Sequence, residues 1–196
     1  MFPTVICLDL ETTGLDPAKS SIVSIGAVNM ADFNEKFYTE FTPFPGAEIN
    51  SESMKVHKLT LDYLYSTKRT HNEGLQKFYE WIDRQVNWVK PDSITKVTEP
   101  PIFTPAGYCV AFDYYFLNYG FQKASISNPL DYHLLNLFAV YFGRTGKSSQ
   151  LDSIARKLEL PKNPNPHNAL EDALITAKCL KVLMPEVNWG GDNGRE

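Results

Sequence analysis

The sequence predicts an α/β fold: a mixed five-stranded sheet with helices on both faces. Three observations carry that prediction. Strand-length apolar runs crowd the first 42 residues, joined by connections too short to hold a helix. Beyond residue 105, short apolar runs instead alternate with stretches of helical spacing. The 196 residues, 43% of them hydrophobic and 13% aromatic, suffice for one domain with a sizeable core.

The first strand is Val5–Leu10, apolar on both faces and closed by Thr12-Thr13-Gly14 and Asp16-Pro17. Ser21–Val28 and Phe37–Thr42 follow as second and third strands, an antiparallel meander with the first. Pro43, Pro45 and Gly46 break the pattern, and short helical pieces run through His57, with Thr60 capping another turn. Leu75, Phe78, Ile82, Val86 and Val89 mark a helix over residues 73–89. Pro91, Pro100, Pro101 and Pro105 make residues 90–105 a long loop, a place for substrate preference to be set. A fourth strand is expected at Ala106–Val110, then a helix from Phe112 to Lys123 and a fifth strand at Ile126–Leu130, both late strands parallel to the first. Helices at His133–Phe142 and Ser148–Leu158, a proline-rich loop, and a last helix from Asn168 to Met184 complete the domain, residues 1–185. The polar, glycine-rich tail, residues 186–196, is expected to fray.

Asp9 and Glu11 end the first strand. Side chains at i and i+2 point the same way, so the two carboxylates stand roughly 6–7 Å apart along the strand. In a dry setting such a pair either takes up a proton or holds a cation, and hard carboxylate oxygens suit Mg²⁺ or Mn²⁺. Asp113 opens the helix after the fourth strand, where a carboxylate is also favoured as a simple cap. Asn168-Ala169-Leu170-Glu171 is a capping-box pattern, which places Asp172 one turn inside the last helix, interrupting its buried stripe. His167 lies just outside that helix on a Pro/Asn loop. In sheets of this kind chemistry gathers at the carboxyl ends of the strands, where Asp9 and Glu11 lie. Four acids meeting there would need divalent cations, and a histidine, titrating near pH 6.5 as a residue type, suits a base that deprotonates water. Two metal ions and such a base amount to a phosphodiester hydrolase.

The segments DLETTGL, AFDYYFL and HNALED, in this order and spacing, resemble the three motifs of the DEDDh 3′–5′ exonucleases, the family of polymerase proofreading subunits. The resemblance spans roughly residues 4–184 and implies a ribonuclease H-like fold. It also implies that Asp9, Glu11, Asp113 and Asp172 are the metal-site acids, Asp9 shared between two ions, and that His167 is the general base. Thr12, Gly14 and Leu15 are implied to hold the terminal nucleotide, with Leu15 against its base. Asp131 resembles a recurrent acid at the end of the fifth strand, in a supporting role. Tyr108 and Cys109 stand where many members have His-Asn, a departure that touches substrate contacts and leaves the metals alone; His57 is assigned no role.

The expected activity is hydrolysis of 3′ ends of single-stranded DNA or RNA, releasing nucleoside 5′-monophosphates. Trimming of RNA, or nucleic-acid binding without catalysis, are the alternatives. Net charge is −4, against the basic footprint usual for nucleic-acid binders, and bound divalent ions would offset it locally. Arg144, Lys147, Arg156, Lys157 and Lys162 form one group able to track phosphates, and Lys55, Lys58, Lys68 and Arg69 a second. Tyr114 or Tyr115 offers a stacking face. The three scattered cysteines, the absence of a membrane-length apolar run and an N-terminus without a basic region predict a cytoplasmic protein with no membrane contact.

Overall fold

The computed structural model describes residues 4–85 and 102–189. β1 (Val5–Thr12), β2 (Ile22–Asn29), β3 (Lys36–Glu40), β4 (Thr104–Gly107) and β5 (Leu135–Asn136) form one sheet in the order β3-β2-β1-β4-β5. β1 to β3 are antiparallel neighbours, while β4 runs parallel to β1 and β5 parallel to β4. This is the mixed sheet the sequence predicts.

Alternation along β1 assigns its two faces. Ile6, Leu8 and Leu10 enter one core, with residues of α3 (His71–Gln85) and α4 (Ala111–Ala124). Val5 and Cys7 enter the other, built from α5 (Leu137–Thr145), α6 (Leu151–Lys157) and α7 (Ala169–Leu183). Every residue of β2 is buried, as a strand covered on both sides must be. Two short helices, α1 (Ser51–His57) and α2 (Leu61–Ser66), link β3 to α3, each with its N-cap side chain, Asn50 or Thr60, accepting first-turn N–H groups.

The fifth strand is not where the apolar run Ile126–Leu130 suggests. Pro129 lacks the N–H a ladder needs, and Leu130 makes only an isolated bridge to Phe103. Ile126 and Leu130 pack, half-buried, against the first core, and pairing with β4 comes at Leu135–Asn136. Asp131 therefore precedes β5; its Oδ1 accepts the His133 N–H at 3.1 Å and faces His133 Nδ1 at 2.8 Å. Helix starts shift for a related reason. Asn136 caps α5 with its side chain on the Ala139 N–H, so that helix begins four residues later than the spacing predicts. β4 likewise lies earlier, at Thr104–Gly107, and Val110 becomes the α4 N-cap. Val86, Val89, residues 90–101 of the long loop and residues 190–196 of the tail lie outside the described residues. Trp189, expected to fray, packs on the second core. Among the described residues no helix is long and apolar enough to cross a membrane.

Gly26 decides how α7 sits. A Cβ at this position would stand 2.1 Å from the Ala169 carbonyl carbon and the Leu170 nitrogen. Only a glycine lets the first turn of α7 rest directly on β2.

Candidate active site

Asp9 and Glu11 continue the face of β1 that carries Val5 and Cys7, and so look toward α7. The first turn of α7 brings Asp172 down to them. Carboxylate oxygens of Asp9, Glu11 and Asp172 all lie within 4.8 Å of one another. Asp113, in the first turn of α4, is buried beside them, and its Oδ1 accepts the Leu10 N–H at 3.1 Å. Asp172 is held on both oxygens: Asn163 Nδ2 donates to Oδ1 at 2.5 Å and the His167 N–H to Oδ2 at 3.0 Å. These acids and His167 line one cleft of about 540 Å³, a volume typical of small-ligand sites.

Burial and mutual repulsion push the cluster's acidities up. Burial first, then the charges of Asp113, Glu11 and Asp172, holds Asp9 well above the carboxylate range. Burial and the charges of Asp172 and Asp113 raise Glu11 to about 8. Burial raises Asp113 to about 8 against the opposing pull of two backbone N–H groups, its own and that of Leu10. Asp172 is also raised by burial, opposed chiefly by the His167 N–H and charge. Among the described residues no lysine or arginine forms an ion pair with any of the four. Converging hard oxygens without an organic counter-charge are the donor set of a divalent metal centre.

His167 is exposed on the cleft wall and adopts φ +64°, a left-handed conformation that non-glycine residues rarely take. Its backbone hydrogen bond to Asp172 ties the histidine loop to the acid cluster. At the end of β1, a register shift between Glu11 and Thr12 turns the chain, and Thr12 Oγ1 donates to the Gly14 carbonyl at 2.7 Å. Gly14 packs so closely on Ser20 that a Cβ would meet its Oγ at 2.3 Å. Leu15 is left 79% exposed, free to meet a ligand.

Several residues reach the site that the sequence reading did not place there. His57 is buried, and its Nδ1 accepts the Leu59 N–H at 3.1 Å. That assigns the proton to Nε2, which donates to the Thr12 carbonyl at 3.3 Å. Asn163 arrives through the proline-rich loop, whose Asn-Pro-Asn-Pro pattern is its only signal. Gln150 and Asp152 enter the cleft at the start of α6, held there as Tyr108 Oη donates to the Ser149 carbonyl at 2.9 Å. Tyr108 and Cys109, the departures from the family pattern, both line the cleft.

Other expected participants stand elsewhere. Asp131 does not line the cleft, nor does any of the nine grouped basic residues. Arg144 pairs with Glu186, Lys55 with Glu52, and Arg69 fastens β3 by donating to Thr39 Oγ1 and the Glu40 carbonyl. Tyr115 is exposed and meets Tyr114 edge-on, while Phe116 belongs to the core.

The likeness of this chain to known proteins agrees with the site. It is 28% identical over 180 residues to the 3′–5′ DNA exonuclease Cap18 of Escherichia coli, covering 91% of this chain and 90% of that one. It is 29% identical over 180 residues to the PolC-type DNA polymerase III of Thermotoga maritima, of which it spans only 11%. Its fold superposes on the nuclease domain of 3′hExo, a DEDDh family member bound to rAMP, with a TM-score of 0.69 at 16% identity, covering 94% of this chain and 92% of that domain. Residues 4–184 match the family described as the 3′–5′ exoribonuclease Rv2179c-like domain. With its acids gathered at the end of β1 and its sequence matched along almost its whole length, the chain belongs to that family and is a metal-dependent 3′–5′ exonuclease.

Proposed function

We propose that the protein removes nucleoside 5′-monophosphates from the 3′ ends of single-stranded DNA, with Asp9, Glu11, Asp113 and Asp172 holding Mg²⁺ or Mn²⁺ and His167 acting as general base. The observation that carries this reading is the convergence of three carboxylates within 4.8 Å in a cleft that the exposed His167 also lines. A bound divalent ion supplies Lewis acidity at the phosphodiester and offsets the repulsion among the acids. Asp9, Glu11 and Asp172 make up the cluster, and Asp113 steadies Leu10 between the first two. His167 takes the proton from the attacking water, and Asp172 fixes the loop that carries it. Thr12, Gly14 and Leu15 follow the acids at the end of β1, outside the cleft lining, and hold the terminal nucleotide in this reading, with Leu15 exposed to meet its base and the Thr12 carbonyl braced by His57.

DNA is favoured because Cap18, similar over nine-tenths of both chains, is a DNA exonuclease. RNA is the second reading, favoured by the description of the matching family. Its three unpaired thiols suit a reducing, cytoplasmic setting. Incubation with 5′-labelled single-stranded DNA and RNA, with and without EDTA, separates the readings. A metal-dependent ladder is expected on DNA; a ladder on RNA alone replaces the first reading with the second. Asp9→Ala and Asp172→Ala should abolish cleavage, and His167→Ala should slow it roughly 10²–10⁴-fold. An Asp9→Ala protein that shortens DNA at the wild-type rate overturns the assignment.

A further inference from the structure

β3 is an edge strand, yet one of its side chains, Tyr38, reaches the N-cap of the active-site helix. The sheet register lines up Asp9, Gly26 and Tyr38 in one row and Glu11, Ser24 and Glu40 in the next. Residues opposite one another share a face, so Tyr38 and Glu40 stand on the same side of the sheet as the acids. The first turn of α7 rests on Gly26, between the two groups. Asp172 leaves that turn toward β1. On the other flank, Asn168 Nδ2 donates to Tyr38 Oη at 3.0 Å.

Tyr38 is itself oriented. Its hydroxyl donates to Glu40 Oε1, and Tyr63 Oη donates to Glu40 Oε2 at 2.5 Å. With its one proton committed to Glu40, Tyr38 Oη can only accept from Asn168. Asn168 is committed in turn, because its Oδ1 caps α7 on the Glu171 N–H at 3.2 Å. Its amide is therefore gripped at both ends. Asn168 directly follows His167, whose left-handed backbone is a conformation that persists only where surroundings hold it. Asp172 holds His167 from the α7 side, and the Asn168 amide holds the next residue from the β3 side.

We propose that Tyr38, aligned by Glu40 and Tyr63, is a positioning residue that keeps His167 aimed into the cleft. The proposal rests on the reading of His167 as the general base. Steady-state hydrolysis of labelled single-stranded DNA by the full chain tests it. Tyr38→Phe keeps the ring and removes only the hydroxyl, and should lower kcat about tenfold, with KM and melting temperature unchanged. Glu40→Gln should lower kcat in the same direction by a smaller factor. Adding Tyr38→Phe to His167→Ala should change nothing further, because the residue it positions is gone. Wild-type kcat in Tyr38→Phe, or an additional tenfold loss in the double variant, overturns the proposal while the general-base reading stands. A wild-type rate in His167→Ala removes the base assignment and the proposal with it.

Discussion

His71 begins α3 with the rings of Phe41 and Phe44 turned edge-on to it, its Nδ1 buried without a hydrogen-bond partner. Burial lowers its pKa to about 4. In the unfolded chain the same group takes its proton near pH 6.5, so the fold loses stability as pH falls from there toward 4, by about 3 kcal/mol if the full shift is expressed. His71→Leu should abolish that loss. The difference in unfolding free energy between variant and wild type should therefore grow as pH falls from 7 to 4.5; a constant difference would exclude His71 as the cause. Legibility at this scale follows the range of the interaction. Asp9 and Glu11 are readable because their pairing is local, two residues apart on one strand. His57 and Asn163 are not, because their partners Thr12 and Asp172 lie 45 and 9 residues away across turns that no residue pattern dictates.

Among the elements, α7 brings Asp172 to the two acids of β1. Its start follows from local rules: Asn168 caps it as the sequence predicts, although the Asn168 N–H goes to the Asn165 carbonyl, so only half of the capping box forms. Its seat on the sheet is a tertiary matter, decided at Gly26. Gly26→Ala would drive a methyl into the α7 backbone, which cannot yield as a flexible side chain does. The expected outcome is a loss of roughly 10²-fold in kcat, because a shift of about 1 Å moves Asp172 and His167 together. The stability cost should be about 1–3 kcal/mol, read as a lowered denaturation midpoint. Unchanged kcat in a folded Gly26→Ala protein would show that α7 is not seated as described. The displaced β5 teaches the converse: apolar residues announce contact with a core, and Ile126 and Leu130 do pack against one, half-buried, but the strand pairing falls at Leu135–Asn136.

For the whole molecule, the acid cluster couples stability to pH and to metal. Glu11 and Asp113, both raised to about 8, bind protons in the folded state that the unfolded chain has released by pH 5 to 6. Their contribution is therefore fully present below pH 4 and is lost as pH rises through 8. In EDTA the melting temperature should fall between pH 5 and 9, and saturating Mn²⁺ should restore it, more strongly at pH 8 than at pH 6. Asp172→Asn, which removes the first of the charges that raise Glu11, should flatten the metal-free decline while abolishing cleavage. A metal-free melting temperature that is flat across this range in the wild type would mean that the acids are not crowded as described. The same cluster bears on the net charge of −4: with no grouped basic residue lining the cleft, a bound cation is the chief positive charge a phosphate would meet there.

The amino-acid sequence by itself determined the antiparallel β1–β3 meander, the pairing of Asp9 with Glu11 on one strand and the Asn168 cap of α7, because alternation, capping and turn chemistry act over a few residues and leave a pattern in them. It also placed His167 just ahead of a helix cap. Only the tertiary structure decided that Asp172 meets Asp9 and Glu11, that Asp131 stays out of the cleft, and that Tyr38 reaches Asn168 from an edge strand 130 residues away. Those outcomes depend on how closely a helix can approach a sheet. The close fit at Gly26 is set by packing of backbone on backbone, which spacing along a chain does not record.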